Sequence, residues 1–90
     1  ELRVVLSGEL DHHNAAIIRE EVDRELDGSV KLLTLDMSGI TFMDSSGIGV
    51  VLGRYRRMSE SGGKLRMGGM SIYAEKILRM AGVLALLERK

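Results

Sequence analysis

The chain has 90 residues, enough for one small domain and too few for two independent cores. Hydrophobic residues at 44% and charged residues at 29% are values of a folded globular domain and argue against disorder. Its 13 basic and 13 acidic residues cancel, which removes any whole-domain case for nucleic acid, and one Phe, two Tyr and no Trp leave few rings to stack on bases. The core must therefore be aliphatic and rich in methionine. The absence of cysteine excludes a disulfide framework, a thiolate nucleophile and a cysteine metal site, and fits a cytoplasmic setting. No apolar run approaches the roughly 20 residues of a membrane helix, and no signal peptide is visible. The chain opens at Glu1 directly inside a strand pattern, as a segment of a longer protein would.

In chain order, Leu2–Leu6 reads as a strand ended by Ser7-Gly8. Glu9 to His13 is a connection in which Asp11 is placed to cap the following helix. From Asn14 to Leu26 the apolar residues Ala15, Ile18, Val22 and Leu26 form one helical stripe, and Gly28 is a natural stop. Val30 to Met37 is the strongest strand, nearly continuous in leucine and so expected to be central and parallel. Ser38-Gly39 ends it. A helix is expected from Ser45 to Ser59, halting before Gly62-Gly63, and Lys64 to Gly68 alternates as a half-exposed strand. Ser71 caps a third helix with the stripe Ala74, Ile77, Leu78 and Ala81, closed by Gly82. Val83 to Leu87 reads as a short last strand. The order β-α-β-α-β-α-β, without repeat or long linker, predicts an α/β domain over 1–90 with a mainly parallel or mixed sheet and helices packed against it.

At 100° per residue, the second helix places Ile48, Val51, Leu52, Tyr55 and Met58 on one side, the expected core face. The opposite side carries Ser46, Gly49, Val50, Gly53 and Arg57. Each glycine in a helix costs about 1 kcal/mol relative to alanine, so two of them one turn apart ask for a reason. Either they form a smooth docking surface for another protein, contiguous with Ser45 and Ser46, or they pack against a neighbouring part of the same domain.

Several chemistries can be weighed on the same residues. Gly47, Gly49 and Gly53 resemble dinucleotide-binding glycines only faintly, because about ten residues separate them from the preceding strand and no ribose-binding acid follows. Met43-Asp44-Ser45-Ser46-Gly47 lacks the first glycine of a nucleophile elbow. His12 or His13 with Asp11 or Asp44 could in principle complete a hydrolytic set around a serine, but adjacent histidines before a helix are more simply loop residues. As metal ligands, two adjacent histidines rarely face one ion. A serine at a helix start can also be modified: phosphate on Ser45 would bring close to two negative charges beside Asp44. The helix end tolerates such a group, whereas a docked partner would meet bulk and like charge. Capping of the helix by Asp44 or Ser45 is compatible with that switch.

Three stretches carry a resemblance: Gly8-Glu9-Leu10-Asp11-His12-His13-Asn14-Ala15, Phe42-Met43-Asp44-Ser45-Ser46-Gly47-Ile48-Gly49-Val50, and Leu52-Gly53-Arg54-Tyr55. Together they resemble the anti-sigma-factor antagonists, small bacterial STAS-domain proteins, and within them the sporulation branch of the sigma-F pathway. The resemblance covers nearly the whole chain. It implies partner switching in transcription regulation: the unphosphorylated antagonist binds an anti-sigma factor that is itself an ATP-dependent serine kinase, and the sigma factor is released. It places the phosphoacceptor at Ser45, flanked by Asp44 and Ser46, and the kinase-binding face at Asp11, Asp44, Ser46, Gly47, Gly49, Val50, Gly53 and Arg57. A PP2C-type phosphatase would restore the active form. No catalytic residue, metal or cofactor of the chain's own is implied, ATP arriving with the kinase, and neither nucleic acid nor membrane is a partner. Two departures stand out. The family's strand before Leu2 and its helix after the last strand are missing from this chain, and Met70-Ser71-Ile72 lacks the usual proline. The alternatives kept are a STAS scaffold or stressosome-type sensor and, from another class, a small serine hydrolase.

Overall fold

The computed structural model of the chain describes residues 1–88, so the last two residues of the expected 1–90 domain lie outside the described residues. The elements are β1 (Leu2–Leu10), α1 (Ala15–Glu25), β2 (Leu32–Met43), α2 (Ser45–Glu60), β3 (Lys64–Met70), α3 (Ile72–Met80) and α4 (Val83–Glu88). The three strands form one parallel sheet in the order β1-β2-β3. Leu2 lies opposite Leu33, and Leu33 opposite Leu65. The leucine-rich strand is central, as its continuous apolar run requires.

The core is aliphatic and methionine-rich. Leu6, Leu10, Leu33, Leu35, Met37, Ile40, Met43 and Leu65 of the sheet meet Val22 of α1, Val50, Val51 and Met58 of α2, Ala74 and Leu78 of α3, and Val83 and Leu84 of α4. Alternate positions along the strands, Arg3, Asp36, Lys64 and Arg66, are polar. Arg3 Nη2 donates to Asp36 Oδ2 at 2.6 Å, and a Cβ added at Gly68 would press on the guanidinium nitrogens at 3.3 Å and on Thr34 Cγ2 at 3.1 Å. The backbone N–H and hydroxyl of Ser38, with Arg3 behind them, hold the Asp36 carboxyl below the usual aspartate range.

Four expectations change. Val83–Leu87 is not a strand: it lies within α4, and the order is β-α-β-α-β-α-α. The apolar run Val83-Leu84-Ala85-Leu86-Leu87 is too short for period to decide, and its leucines and alanine favour helix. Gly82, at φ +79°, turns the chain from α3 into it, so that Val83 and Leu84 become buried. β2 does not end at Ser38-Gly39 but continues to Met43, and β1 passes Ser7-Gly8 to reach Leu10. Shifts in register absorb these residues, with Gly8 at φ +87° and Gly39 so close to Ser7 that an added Cβ would stand 3.0 Å from its Cβ. α1 stops at Leu26, which is extended at φ −88° and ψ 118°, so Gly28 is not what ends it. On α2, Val50 is buried rather than outward. The inward stripe runs through Gly47, Val50, Val51, Arg54 and Met58, with Ile48, Leu52 and Tyr55 partly buried beside it.

Candidate functional site

The extension of β1 and β2 builds the corner that carries Ser45. Leu10 and Met43, the last residues of the two strands, are register partners, and both are buried. Directly after Met43, Asp44 is extended at φ −121° and ψ −167°, and its Oδ1 accepts the Ser46 N–H at 2.8 Å. This is an N-cap, one of the alternatives the sequence left open. The Asp44 carbonyl accepts from Gly47 and Ile48, while the Asp44 N–H donates to the Leu10 carbonyl at 3.4 Å, tying the helix start to β1. Gly47 fits beneath it: an added Cβ would stand 2.7 Å from the Leu10 carbonyl oxygen and 2.8 Å from Met43 Cγ. The helix start is thus clamped from below while Ser45, its first residue, is exposed.

The β1–α1 connection lies alongside. Asp11 Oδ1 accepts from the backbone N–H groups of His13 and Asn14 at 3.1 and 3.0 Å, and Asn14 Nδ2 donates to the Glu9 carbonyl. Asp11 therefore shapes the turn into α1. His12 Nδ1 stands 3.9 Å from Asp44 Oδ2, and the His12 and His13 rings lie 4.0 Å apart. The hydrogen bond that would orient a catalytic base is not formed between His12 and Asp44. The glycines of the faint dinucleotide pattern lie inside α2, with Gly47 N–H already bonded to Asp44. They follow β2 more closely than expected, because β2 runs on to Met43, but they form no phosphate-cradling turn.

The expected site residues separate into four groups. Asp11, Asp44, Ser45 and Ser46 come together at the corner. Gly49 and Gly53 lie further along α2, and among the described residues an added Cβ at either meets nothing within 4 Å, so neither is covered by another described part of the domain. Gly47 and Val50 are buried and present no side to a partner. Their part is to seat α2 on the sheet. Arg57 is engaged with α1: its Nη2 donates to the Leu26 carbonyl at 3.1 Å and its Nη1 lies 3.4 Å from Asp23 Oδ1.

Asp23 also pairs with Arg54, whose Nε stands 3.0 Å from the same carboxylate oxygen. The approach is close but not aligned for a hydrogen bond, so the pair is held by charge. Burial pushes the Arg54 guanidinium below its ordinary range; Asp23 opposes that, and Arg19 and Arg57 add to it. A buried arginine on the inner face of α2 was not anticipated, because periodicity on the wheel did not single it out.

Aromatic residues were also missed. Phe42, the one phenylalanine, stays outside the core at 39% exposure, with its ring 6.0 Å from that of Tyr73, and Ile72 beside Tyr73 is 88% exposed. Phe42 stands two residues before Asp44, between the buried Ile40 and Met43, whose spacing of three breaks simple strand alternation, so parity alone did not mark it as exposed. Ser71 caps α3 through Oγ at 3.1 Å from the Ala74 N–H, so the missing proline does not disturb that helix start. No helix among the described residues is long and apolar enough to cross a membrane.

A family model described as STAS domain matches residues 2–89. An anti-sigma F factor antagonist of Paenibacillus polymyxa is 36% identical over 83 residues, 91% of this chain and 71% of that protein. Among solved structures, the anti-sigma factor antagonist SpoIIAA in its unphosphorylated form superposes with a TM-score of 0.79 at 32% identity, covering 92% of this chain and 74% of that one. The Bacillus cell fate determinant SpoIIAA in the phosphorylated form gives a TM-score of 0.73 at 32% identity, over 94% and 78%.

Proposed function

This chain belongs to the STAS domain family, and we propose that within it the chain acts as an anti-sigma-factor antagonist controlled by phosphorylation of Ser45. The unphosphorylated form binds an anti-sigma-factor serine kinase and so releases the sigma factor. The kinase supplies ATP and transfers its γ-phosphoryl group to Ser45 Oγ: the bond from the γ-phosphorus to the bridging oxygen breaks, ADP leaves, and the hydroxyl proton is lost to solvent. A PP2C-type phosphatase reverses the modification. In this role the chain is a substrate and a switch, working in the cytoplasm, and has no catalytic group of its own.

The observation that carries this reading is the exposed Ser45 on a helix start clamped from below by Gly47, Leu10 and Met43. A kinase can reach the hydroxyl, and a phosphate can be accepted without repacking anything beneath it. The added charge would lie beside Asp44, which has one oxygen committed to Ser46. The helix end partly compensates that charge, but an acidic or closely fitting partner surface would not. The open sides of Gly49 and Gly53 extend the same exposed surface along α2 and let a partner backbone approach closely. The relatives named above, known in unphosphorylated and phosphorylated forms, share the fold in both.

The test is intact mass after incubation with an anti-sigma kinase of the sigma-F type and ATP, beside Ser45→Ala. One added phosphate in the parent and none in the variant is the expected result. A folded parent that gains no phosphate, or a Ser45→Ala variant that still does, would overturn it.

A further inference from the structure

The histidine facing Asp44 is not used by anything derived so far. His12 comes from the β1–α1 connection and Asp44 from the β2–α2 junction, so their approach is made by the fold and not by sequence proximity. His12 Nδ1 stands 3.9 Å from Asp44 Oδ2, with the His12 side chain 71% exposed and that of Asp44 32% exposed. That is too long for a hydrogen bond and close enough for attraction to an imidazolium. The ring is therefore held near the carboxylate without being locked to it.

The other charged and titratable groups around it leave His12 available. Asp11, its chain neighbour, has Oδ1 turned to the backbone N–H groups of His13 and Asn14. The His13 ring, tilted by 37° with its centroid 4.0 Å from that of His12, brings no negative charge. Asp44 divides its oxygens, Oδ1 to the Ser46 N–H and Oδ2 towards His12. Ser45 is the next residue after Asp44, and its side chain is at the surface.

On this geometry we propose that His12 is the phosphate-binding residue of the modified form. When Ser45 carries a phosphoryl group, the imidazolium of His12 swings from Asp44 to the phosphate oxygens and forms a charge-assisted hydrogen bond. This rests on the reading of Ser45 as the phosphoacceptor. Asp44 alone would repel the phosphate, and an imidazolium within reach of both anions would relieve that repulsion. The movement also draws the β1–α1 corner against the start of α2. The surface offered to a partner then changes in shape as well as in charge.

The test does not need the kinase. The chain is produced with phosphoserine installed at position 45 during translation, and the second ionisation of the phosphate is followed by phosphorus NMR against pH. A protonated His12 favours the dianion, so the midpoint in the parent should lie about half a pH unit or more below that of His12→Gln. His13→Gln should titrate like the parent. Equal midpoints in the parent and His12→Gln would overturn the proposal, as would a shift produced by His13→Gln alone. A kinase that leaves Ser45 unmodified would instead remove the functional reading, while this titration would still report whether His12 binds a phosphate there.

Discussion

On one side of α2, Gly47 is wedged against Leu10 and Met43. On the other, Gly49 and Gly53 face open space. The same residue type in one helix answers two different demands. At Gly47 the missing side chain lets the helix start descend onto the ends of β1 and β2, and without that descent the Asp44 cap and Ser45 would be displaced. At Gly49 and Gly53 nothing inside the domain needs the space, so their helix cost, about 1 kcal/mol each, is not recovered within the fold. Packing explains the first glycine, and no packing among the described residues explains the other two.

The largest expected effect follows from filling the inner side. Gly47→Val would force atoms into space held by the Leu10 backbone and should lower stability by about 3 kcal/mol or more. Urea denaturation would show this directly, and a variant as stable as the parent would mean that the contact is not rigid. The pair joining α1 to α2 comes next. Asp23→Ala leaves the largely buried Arg54 without its counter-charge and should cost about 2 kcal/mol, a value reduced because Asp23 remains partly exposed. Arg54→Met removes the charge together with the need to balance it, and should cost less. The reverse ranking of the two midpoints would show that Arg54 is held by packing alone.

The smallest effect on stability belongs to the outer side. Gly53→Ala should raise stability by up to about 1 kcal/mol, and Gly53→Arg, also a good helix former in open space, should melt no lower than the parent and abolish capture by the kinase. Unfolding of Gly53→Arg would make that face internal and dissolve the contrast with Gly47. Full kinase capture by a folded Gly53→Arg would leave the outer glycines without a partner to explain them.

Much of this contrast was legible in the chain. The stripes Ala15-Ile18-Val22-Leu26 and Ala74-Ile77-Leu78 specify their helices by period, and the leucine run names the central strand. The Asp44-Ser45 corner could be read as a helix start because capping is local chemistry. What remained hidden was decided by tertiary contact. Ser7-Gly8 and Ser38-Gly39 look like stops, yet paired shifts in register carry both strands through them. The wheel placed Gly49 and Gly53 correctly but missed Gly47 and Val50, because a helix entering over two strand ends buries its first turns more deeply than an ideal stripe allows. The segment after Gly82 is too short for its period to choose an element, and its burial against α3 and α2 could not be read from five residues.

The strand order has a consequence for how the molecule forms. Each pairing in the sheet joins strands that follow one another in the chain, separated by a single helix. Ring closure is therefore of the same modest size on both sides of β2. Either half, β1-α1-β2 or β2-α2-β3, can collapse first, and both need β2 as their template. The strand that ends at the Asp44-Ser45 corner is thus common to the two routes. A substitution such as Leu35→Ala would slow folding along both, whereas one in β1 or β3 leaves the other route open.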